Sequence, residues 1–404
     1  MGVDRVLIAG AGPVGLVTGL SLARRGVPVT ILEAGIDLAM HSRAATFHSP
    51  TLEIFEELGF IDPLLKMGLC VRVMRMADAG LGETVELPFE ILEQRGITRY
   101  PYDFCLSQGE VAKAALAVCR HEPNIDVFFD HEVTDIDQNA DEVVVHCDTA
   151  HRRKEFKAPW LIGADGAASV VRKCADIKFD GFTWTDRFLI VEIHVDMTDI
   201  YGPVTFMANG PDWRLVLMIP EGPGKDDWST RVLSSIPETM ADKKATAAAR
   251  LEKILQSLRP SDKPYSVSST TIYSVHQRVA ETFRKGRTLL VGDAAHINSP
   301  LGAMGLNSGI HDGVNLAEKL TCVAKGKADH GLLNLYDRQR RSTTIDFIQK
   351  KSIENKKRQE ETDLEKRRQA MAMFRGFTHD EEALLAFSKG WQMYDSLEYA
   401  ASIR

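Results

Sequence analysis

The stretch RVLIAGAGPVGLVTGLSLARRGVPVTILEAG, close to the N-terminus, constrains the fold more than any other part of the chain. Arg5 to Ala9 and Pro28 to Leu32 are short continuous apolar runs, the pattern of strands buried on both faces. Between them Val14 to Arg25 has helical composition and closes on Arg24 and Arg25, with Gly26 as a C′ glycine. This is a βαβ unit, which requires a parallel sheet. In Gly10-Ala11-Gly12-Pro13-Val14-Gly15 the first glycine permits a tight turn, the second lets a pyrophosphate approach the backbone, and the third lets the helix pack on the strand. Pro13 and Val14 then open a helix whose N–H groups and positive dipole end face the phosphates. Glu33, followed by Ala34, ends the second strand eighteen residues after Gly15, where its carboxylate can accept hydrogen bonds from a ribose diol. It would repel a 2′-phosphate, so NADP is disfavoured at this turn; FAD and NAD both stay open on this unit alone.

The chain has 404 residues, more than one core usually supports, so two domains or a large α/β domain with an insertion are expected. Helices are predicted over Ser49 to Leu58 and Gln108 to His121. The alternation from about Asp126 to Cys147 predicts a β-meander or hairpin pair. Residues 181–273 change texture, with FLIVEIHVD, PVTFMANG and WRLVLMIP broken by Gly and Pro, which reads as a largely antiparallel sheet inserted into the nucleotide-binding fold. Its alternation puts Leu189, Val191, Ile193 and Val195 on one face and Phe188, Ile190, Glu192 and His194 on the other. The α/β texture returns at RTLLVGDAAH, and a long helix follows from Gly305 to about Ala324. From about Leu332 the chain is rich in Lys, Arg, Glu and Gln and reads most simply as one or two solvated helices. The expected division is a discontinuous nucleotide-binding domain (1–75, 100–180, 274–335), a substrate-binding domain (76–99, 181–273) and a C-terminal helical segment (336–404).

Two further segments bear on the cofactor. Gly163-Ala164-Asp165-Gly166-Ala167-Ala168-Ser169-Val170-Val171-Arg172 gathers a carboxylate, a hydroxyl, backbone amides and a guanidinium; as physics it reads equally well as a capped turn with a surface arginine. In the block from Gly292 to Gly309, Asp293 stands at a strand end where it can bind a polyol chain. Pro300 and the glycines after it let a flat ring lie on bare backbone. Amides at the start of the Gly305 helix can donate to a ring oxygen and favour negative charge there. That arrangement suits an isoalloxazine, whose pyrimidine edge becomes anionic on reduction.

Together the three blocks resemble the class A FAD-dependent aromatic monooxygenases, the group of para-hydroxybenzoate hydroxylase, over about residues 1–350. The resemblance implies a Rossmann-like FAD-binding domain of the GR2 type carrying an inserted, mostly antiparallel substrate sheet. It implies that Gly10, Gly12, Gly15 and Glu33 hold the adenosine-diphosphate end, that Arg43 in HSRAATFHSP lines the flavin cleft, and that Gln108 in LSQGEV contacts the FAD chain. Asp165 and Arg172 fall on a motif linked to FAD and NAD(P)H. Gly292 and Asp293 fall on the ribityl-binding motif, and Pro300, Gly302, Gly305, Leu306 and Asn307 on the segment cradling the flavin ring. Where the family often has a second glycine this chain has Ala303. The implied reaction is reduction of FAD by NADH or NADPH, formation of a peroxyflavin at carbon 4a with O2, and transfer of one oxygen to an electron-rich ring bearing a hydroxyl. A dehydrogenase, oxidase or reductase on the same fold is the alternative.

Candidates for proton handling are His48, near Arg43; His194, sharing a sheet face with Glu192; and His296, directly after Asp293. Tyr201 and Arg214, in the inserted sheet, and Pro300 are candidates for substrate recognition. The net charge of −7 leaves no basic footprint for nucleic acid. The six cysteines stand far apart, without metal-ligand spacing, so scattered thiols and no metal are expected. No apolar stretch approaches the roughly 18 residues that span a bilayer, and the N-terminus does not read as a signal peptide, so a cytoplasmic location is expected. The expected partners are a small aromatic substrate, O2 and NAD(P)H, with a homodimer left open.

Overall fold

The computed structural model describes residues 5–39, 45–220 and 228–404. A six-stranded sheet forms its base, in the order Arg284–Lys285, Thr288–Leu290, Trp160–Gly163, Val6–Ala9, Val29–Leu32, Ile125–Phe128. All neighbours run parallel except the short edge strand Arg284–Lys285. Val6–Ala9 lies central, Val6 opposite both Val29 and Trp160, and its four residues are buried, as the continuous apolar run requires. The fingerprint helix Pro13–Arg24 covers one face of this sheet, the strand-helix-strand order giving the crossover that parallel strands need.

The alternating stretch after Asp126 divides, contrary to a single meander. Ile125–Phe128 joins the edge of the parallel sheet, while Glu132–Gln138, Val143–Asp148 and Arg153–Ala158 make a separate antiparallel sheet. Ile125 and Val127 pack on the same core as Val29 and Ile31, so burial decides the pairing that alternation left open.

A second sheet has eight strands in the order His296–Ile297, Val267–Ala280, Phe179–Ile193, Trp228–Ile236, Arg214–Pro220, Val204–Ala208, Val73–Asp78, Glu83–Pro88. It is antiparallel except between Val204–Ala208 and Val73–Asp78. Leu189, Val191 and Ile193 pack beneath the helix Ala248–Leu258, with Val195 at the margin. Phe188 and Ile190 face the other way, onto a cluster with Trp213, Leu215, Tyr273 and Leu301. The period of two thus sorts this strand into two cores. The sheet ends on His296–Ile297, three residues beyond Asp293, so it is hydrogen-bonded directly to the segment that leaves the parallel sheet.

The charged C-terminal stretch is more than one or two solvated helices. Leu332–Thr343 runs through a π-helical turn, Thr344–Gln349, into Lys350–Gln359; Leu364–Phe377, Glu381–Trp391 and Tyr394–Ser402 follow. Met371, Phe374 and Leu384 are buried against Met74, Met76 and Leu87 of the sheet edge, and Lys356 and Gln359 are buried as well. Charge density concealed this because the apolar residues are few and widely spaced. Among the described residues no helix is long and apolar enough to cross a membrane, and all six cysteines are free thiols.

Candidate cofactor and substrate site

The three fingerprint glycines play distinct parts. Gly10 has φ +104°, and a Cβ there would stand 2.5 Å from the Ala164 carbonyl oxygen. A Cβ on Gly15 would stand 2.0 Å from the Gly10 carbonyl oxygen. Gly12 meets nothing within 4 Å, so the fold itself does not require it, whereas a group lying on the backbone would. Gly12 is also the N-cap of the helix opened by Pro13, and no side chain caps that end. At the end of the second strand Glu33 accepts from the Ala11 N–H at 2.6 Å and the Gly35 N–H at 3.0 Å, which aims the carboxylate at the fingerprint turn. Each oxygen keeps acceptor capacity for a hydroxyl. Ala34, beside it, is exposed.

The helix Met304–Ala324 lies directly on the fingerprint helix. A Cβ on Gly309 would stand 2.8 Å from Gly292 Cα and 3.0 Å from Val14 Cγ2, and one on Gly313 would stand 2.2 Å from Thr18 Oγ1. Since Val14 meets Gly309 and Thr18 meets Gly313, the two helices run in the same direction with their N-termini at the same end. Gly309 and Gly313, on one face at a spacing of four, were the sequence signal for this close approach. The second helix likewise starts without a side-chain cap, from Ala303 in the left-handed region at φ +55°. Pro300 and Gly302 precede it, Gly302 at φ +105° with a would-be Cβ 2.7 Å from Asn355 Nδ2. Gly305 and Leu306 lie in its first turn, half-buried. Asp293 is exposed on the short turn Gly292–Ala294, between the two helix starts.

Beneath this turn lies a buried polar network that sequence reading missed. Asp312 accepts from Arg340 Nε at 2.6 Å, bonds His296 Nε2 at 2.8 Å and accepts the Gly292 N–H at 3.1 Å. Asp312, Arg340 and His296 are all fully buried. Burial alone would raise the Asp312 carboxyl, but the touching Arg340 guanidinium and His296 overcome it and hold it down to about 2. His296, expected to handle protons, is instead a buried support of the Gly292 turn, stacked 5.9 Å from Phe283.

Asn307 is similarly committed. Its amide accepts from the His48 N–H and Thr51 Oγ1 and donates to the Thr46 and Ala303 carbonyls, tying the long helix to the segment before Ser49–Glu57. Its side chain holds the loop in place and is used up within the protein. His48 is fully buried as well: Nδ1 lies 2.9 Å from Asp103 Oδ1 and Nε2 lies 3.1 Å from the Gly302 carbonyl. Asp103 also accepts from Gln392 Nε2 and Trp391 Nε1, so His48 links the C-terminal helices to the Gly302 loop.

Asp165 accepts from Ser169 Oγ and the Val171 N–H, and Ser169, the N-cap of the helix Val170–Cys174, accepts from the Arg172 N–H. Arg172 is buried rather than a surface arginine. It donates to the Ala294 and Ala167 carbonyls and lies 3.9 Å over the Phe179 ring, bracing the turn that carries Asp293. Gln108 opens the helix Gln108–Cys119, capped by Ser107. Arg43 lies outside the described residues.

Two expectations for the substrate side are corrected. Tyr201 donates to the Leu258 carbonyl at 2.7 Å and packs in the core under the helix Ala248–Leu258. Arg214 stands in register with Val216 and Met218, near Arg250 of that helix. Both belong to the face of the sheet turned away from Leu301, whereas Leu215, Leu217 and Phe188 face it. His194 is exposed, with Nδ1 3.4 Å from the Trp228 carbonyl, and is not brought together with His48 or His296.

The whole chain superimposes on the crystal structure of p-nitrophenol 4-monooxygenase from Pseudomonas putida with a TM-score of 0.89, at 29% identity and 100% coverage of both chains. It is 29% identical over 386 residues to para-nitrophenol 4-monooxygenase of a Pseudomonas species, covering 95% of this chain and 94% of the relative. It is 28% identical over 366 residues to 6-hydroxy-3-succinoylpyridine 3-monooxygenase of Pseudomonas putida, covering 87% and 88%. The family profile described as FAD binding domain matches residues 4–351, and the chain belongs to that family.

Proposed function

We infer that this protein is an FAD-dependent monooxygenase that hydroxylates a small aromatic or heteroaromatic ring bearing a hydroxyl group, with NADH or NADPH as reductant. One observation carries the reading: two helices packed in parallel both start uncapped at one end, with Glu33 and Asp293 beside those starts. The donor set fits FAD. The open space at Gly12 and the helix opened by Pro13 and Val14 would take the pyrophosphate, and Glu33 would take the ribose diol. Asp293 would hold the ribityl hydroxyls, and the Gly305 and Leu306 amides, in the uncapped first turn of their helix, would donate to the flavin ring and favour negative charge on it. FAD, when bound, supplies the electron transfer from nicotinamide to oxygen and the delivery of an oxygen atom to the ring.

The chain's own contribution is placement and exclusion of water. The cluster of Phe188, Trp213, Leu215, Tyr273 and Leu301 closes the sheet over the Pro300–Gly302 loop in apolar side chains. His48 and Asn307 fix that loop from behind. The relatives are named for oxidation of a nitrophenol and of a hydroxypyridine, which supports a hydroxylated six-membered ring.

The test is NADH and NADPH oxidation by the FAD-loaded protein across hydroxylated benzoates, phenols and hydroxypyridines. Stimulation by at least one ring, with a product one oxygen heavier, is expected. Oxidation indifferent to every ring would count against hydroxylation and favour a flavin oxidoreductase of another kind.

A further inference from the structure

A cavity of about 200 Å3 lies between the edge of the eight-stranded sheet and the C-terminal helices. Its apolar walls are Met76, Phe206, Met371 and Phe374. It shares Met76, Phe206, Arg358 and Gln359 with a narrower pocket that also touches Leu301, Asn355 and Trp391. The space therefore leads from the helices to the loop assigned above to the flavin ring. A cavity of ~150 Å3 is enough for benzene, so a single substituted ring fits.

The charges around the space are unevenly matched. Asp78 is paired with Arg367, and Glu361 stands 3.7 Å from Lys366. Lys357 and Arg358 also line the space, neither with a carboxylate in ion-pairing distance among the described residues; Lys357 is exposed to solvent, whereas Arg358 is half-buried where the two pockets meet. Its protein acceptor is Asn355 Oδ1, at 2.6 Å, and its guanidinium lies 5.2 Å from the Phe374 ring centroid. A guanidinium has five N–H donors, so most of its capacity is free for an anion. Trp391 gives its N–H to Asp103, meets Phe206 edge to face at 5.5 Å and stacks with Phe387 at 6.2 Å, which makes it an aromatic wall of the narrower pocket. Asn355 also donates to the Leu301 carbonyl at 3.2 Å, which joins Arg358 to the flavin loop through one side chain.

We propose that this cavity is the binding site for the ring substrate and that Arg358 selects a small aromatic anion, a phenolate or ring carboxylate, holding it beside the Leu301 loop. The proposal rests on the monooxygenase reading and names the substrate class for it. It also gives the C-terminal helices a role in recognition, since they supply Arg358, Phe374 and Trp391.

The test titrates 4-hydroxybenzoate, 4-nitrophenolate and neutral phenol into the oxidised FAD-loaded protein, without reductant, and follows the flavin absorbance change. Arg358→Gln should weaken both anions roughly tenfold or more while phenol changes by less than about twofold, with Arg358→Lys in between. Ala370→Phe, which fills the cavity from its outer wall and leaves the charge, should weaken all three. Unchanged affinities in both Arg358→Gln and Ala370→Phe would overturn the proposal, as would a wild-type protein that binds neither anion yet oxidises NADPH with another ring. Should the wild type respond to no ring at all, it is the monooxygenase reading that fails.

Discussion

Arg340 Nε lies 2.6 Å from Asp312 Oδ1 with both side chains fully buried, and the other Asp312 oxygen holds His296 and the Gly292 N–H. A residue of the C-terminal helices thus fixes the turn that presents Asp293. Removing one member of such a pair leaves an uncompensated charge in the core. Asp312→Asn is expected to cost about 3–5 kcal/mol in urea unfolding and to loosen FAD. The double variant Asp312→Leu with Arg340→Met is expected to cost less than the sum of the two single changes.

His311, one position earlier, faces Thr51 Oγ1 at 3.2 Å. Burial first, then the neighbouring Arg340 guanidinium, lowers it to about 3 against the opposing pull of the Asp312 carboxylate. In the unfolded chain an imidazole takes up a proton near pH 6.5, whereas the folded one refuses it down to about 3. The unfolded state therefore binds more protons in this interval, and stability falls as pH drops through it. Melting temperature should decline from pH 6.5 toward 5, and His311→Gln should flatten that decline.

The glycines separate folding from binding. Gly10→Ala places a Cβ 2.5 Å from a backbone oxygen at a positive φ and should abolish soluble protein. Gly12→Ala meets nothing within 4 Å, so the apoprotein should melt as the wild type does. Its FAD dissociation constant should rise at least about tenfold, ~1.4 kcal/mol, read by flavin fluorescence on titration.

Ala303 sits at φ +55°, a conformation that costs a residue with a Cβ. Ala303→Gly should stabilise the protein by about 1 kcal/mol in urea unfolding. If the loop cradles the flavin as proposed, FAD retention on desalting should improve or hold.

Local patterns carried the fold where one face or both faces of an element are buried: the strands around the fingerprint, and the alternation at Phe188 and Leu189, were legible for that reason. The site was legible where glycine is demanded by close approach, as at Gly10 and Gly15. It was not legible where function depends on partners far along the chain. Nothing near His296 announces that Asp312 and Arg340 will enclose it, and nothing near Arg214 says that its register faces the helix Ala248–Leu258. The C-terminal helices were misread because Lys356 and Arg358 look solvated in sequence, yet one is buried in ion pairs and the other lines a cavity.

The most direct test of the central claim is turnover under 18O2 with a hydroxylated ring that stimulates NAD(P)H oxidation, followed by mass spectrometry of the product. One 18O atom in the ring product, with uptake of one O2 per nicotinamide oxidised, is the predicted result. Consumption of O2 with all of the label recovered as hydrogen peroxide, and none in any ring product, would contradict it.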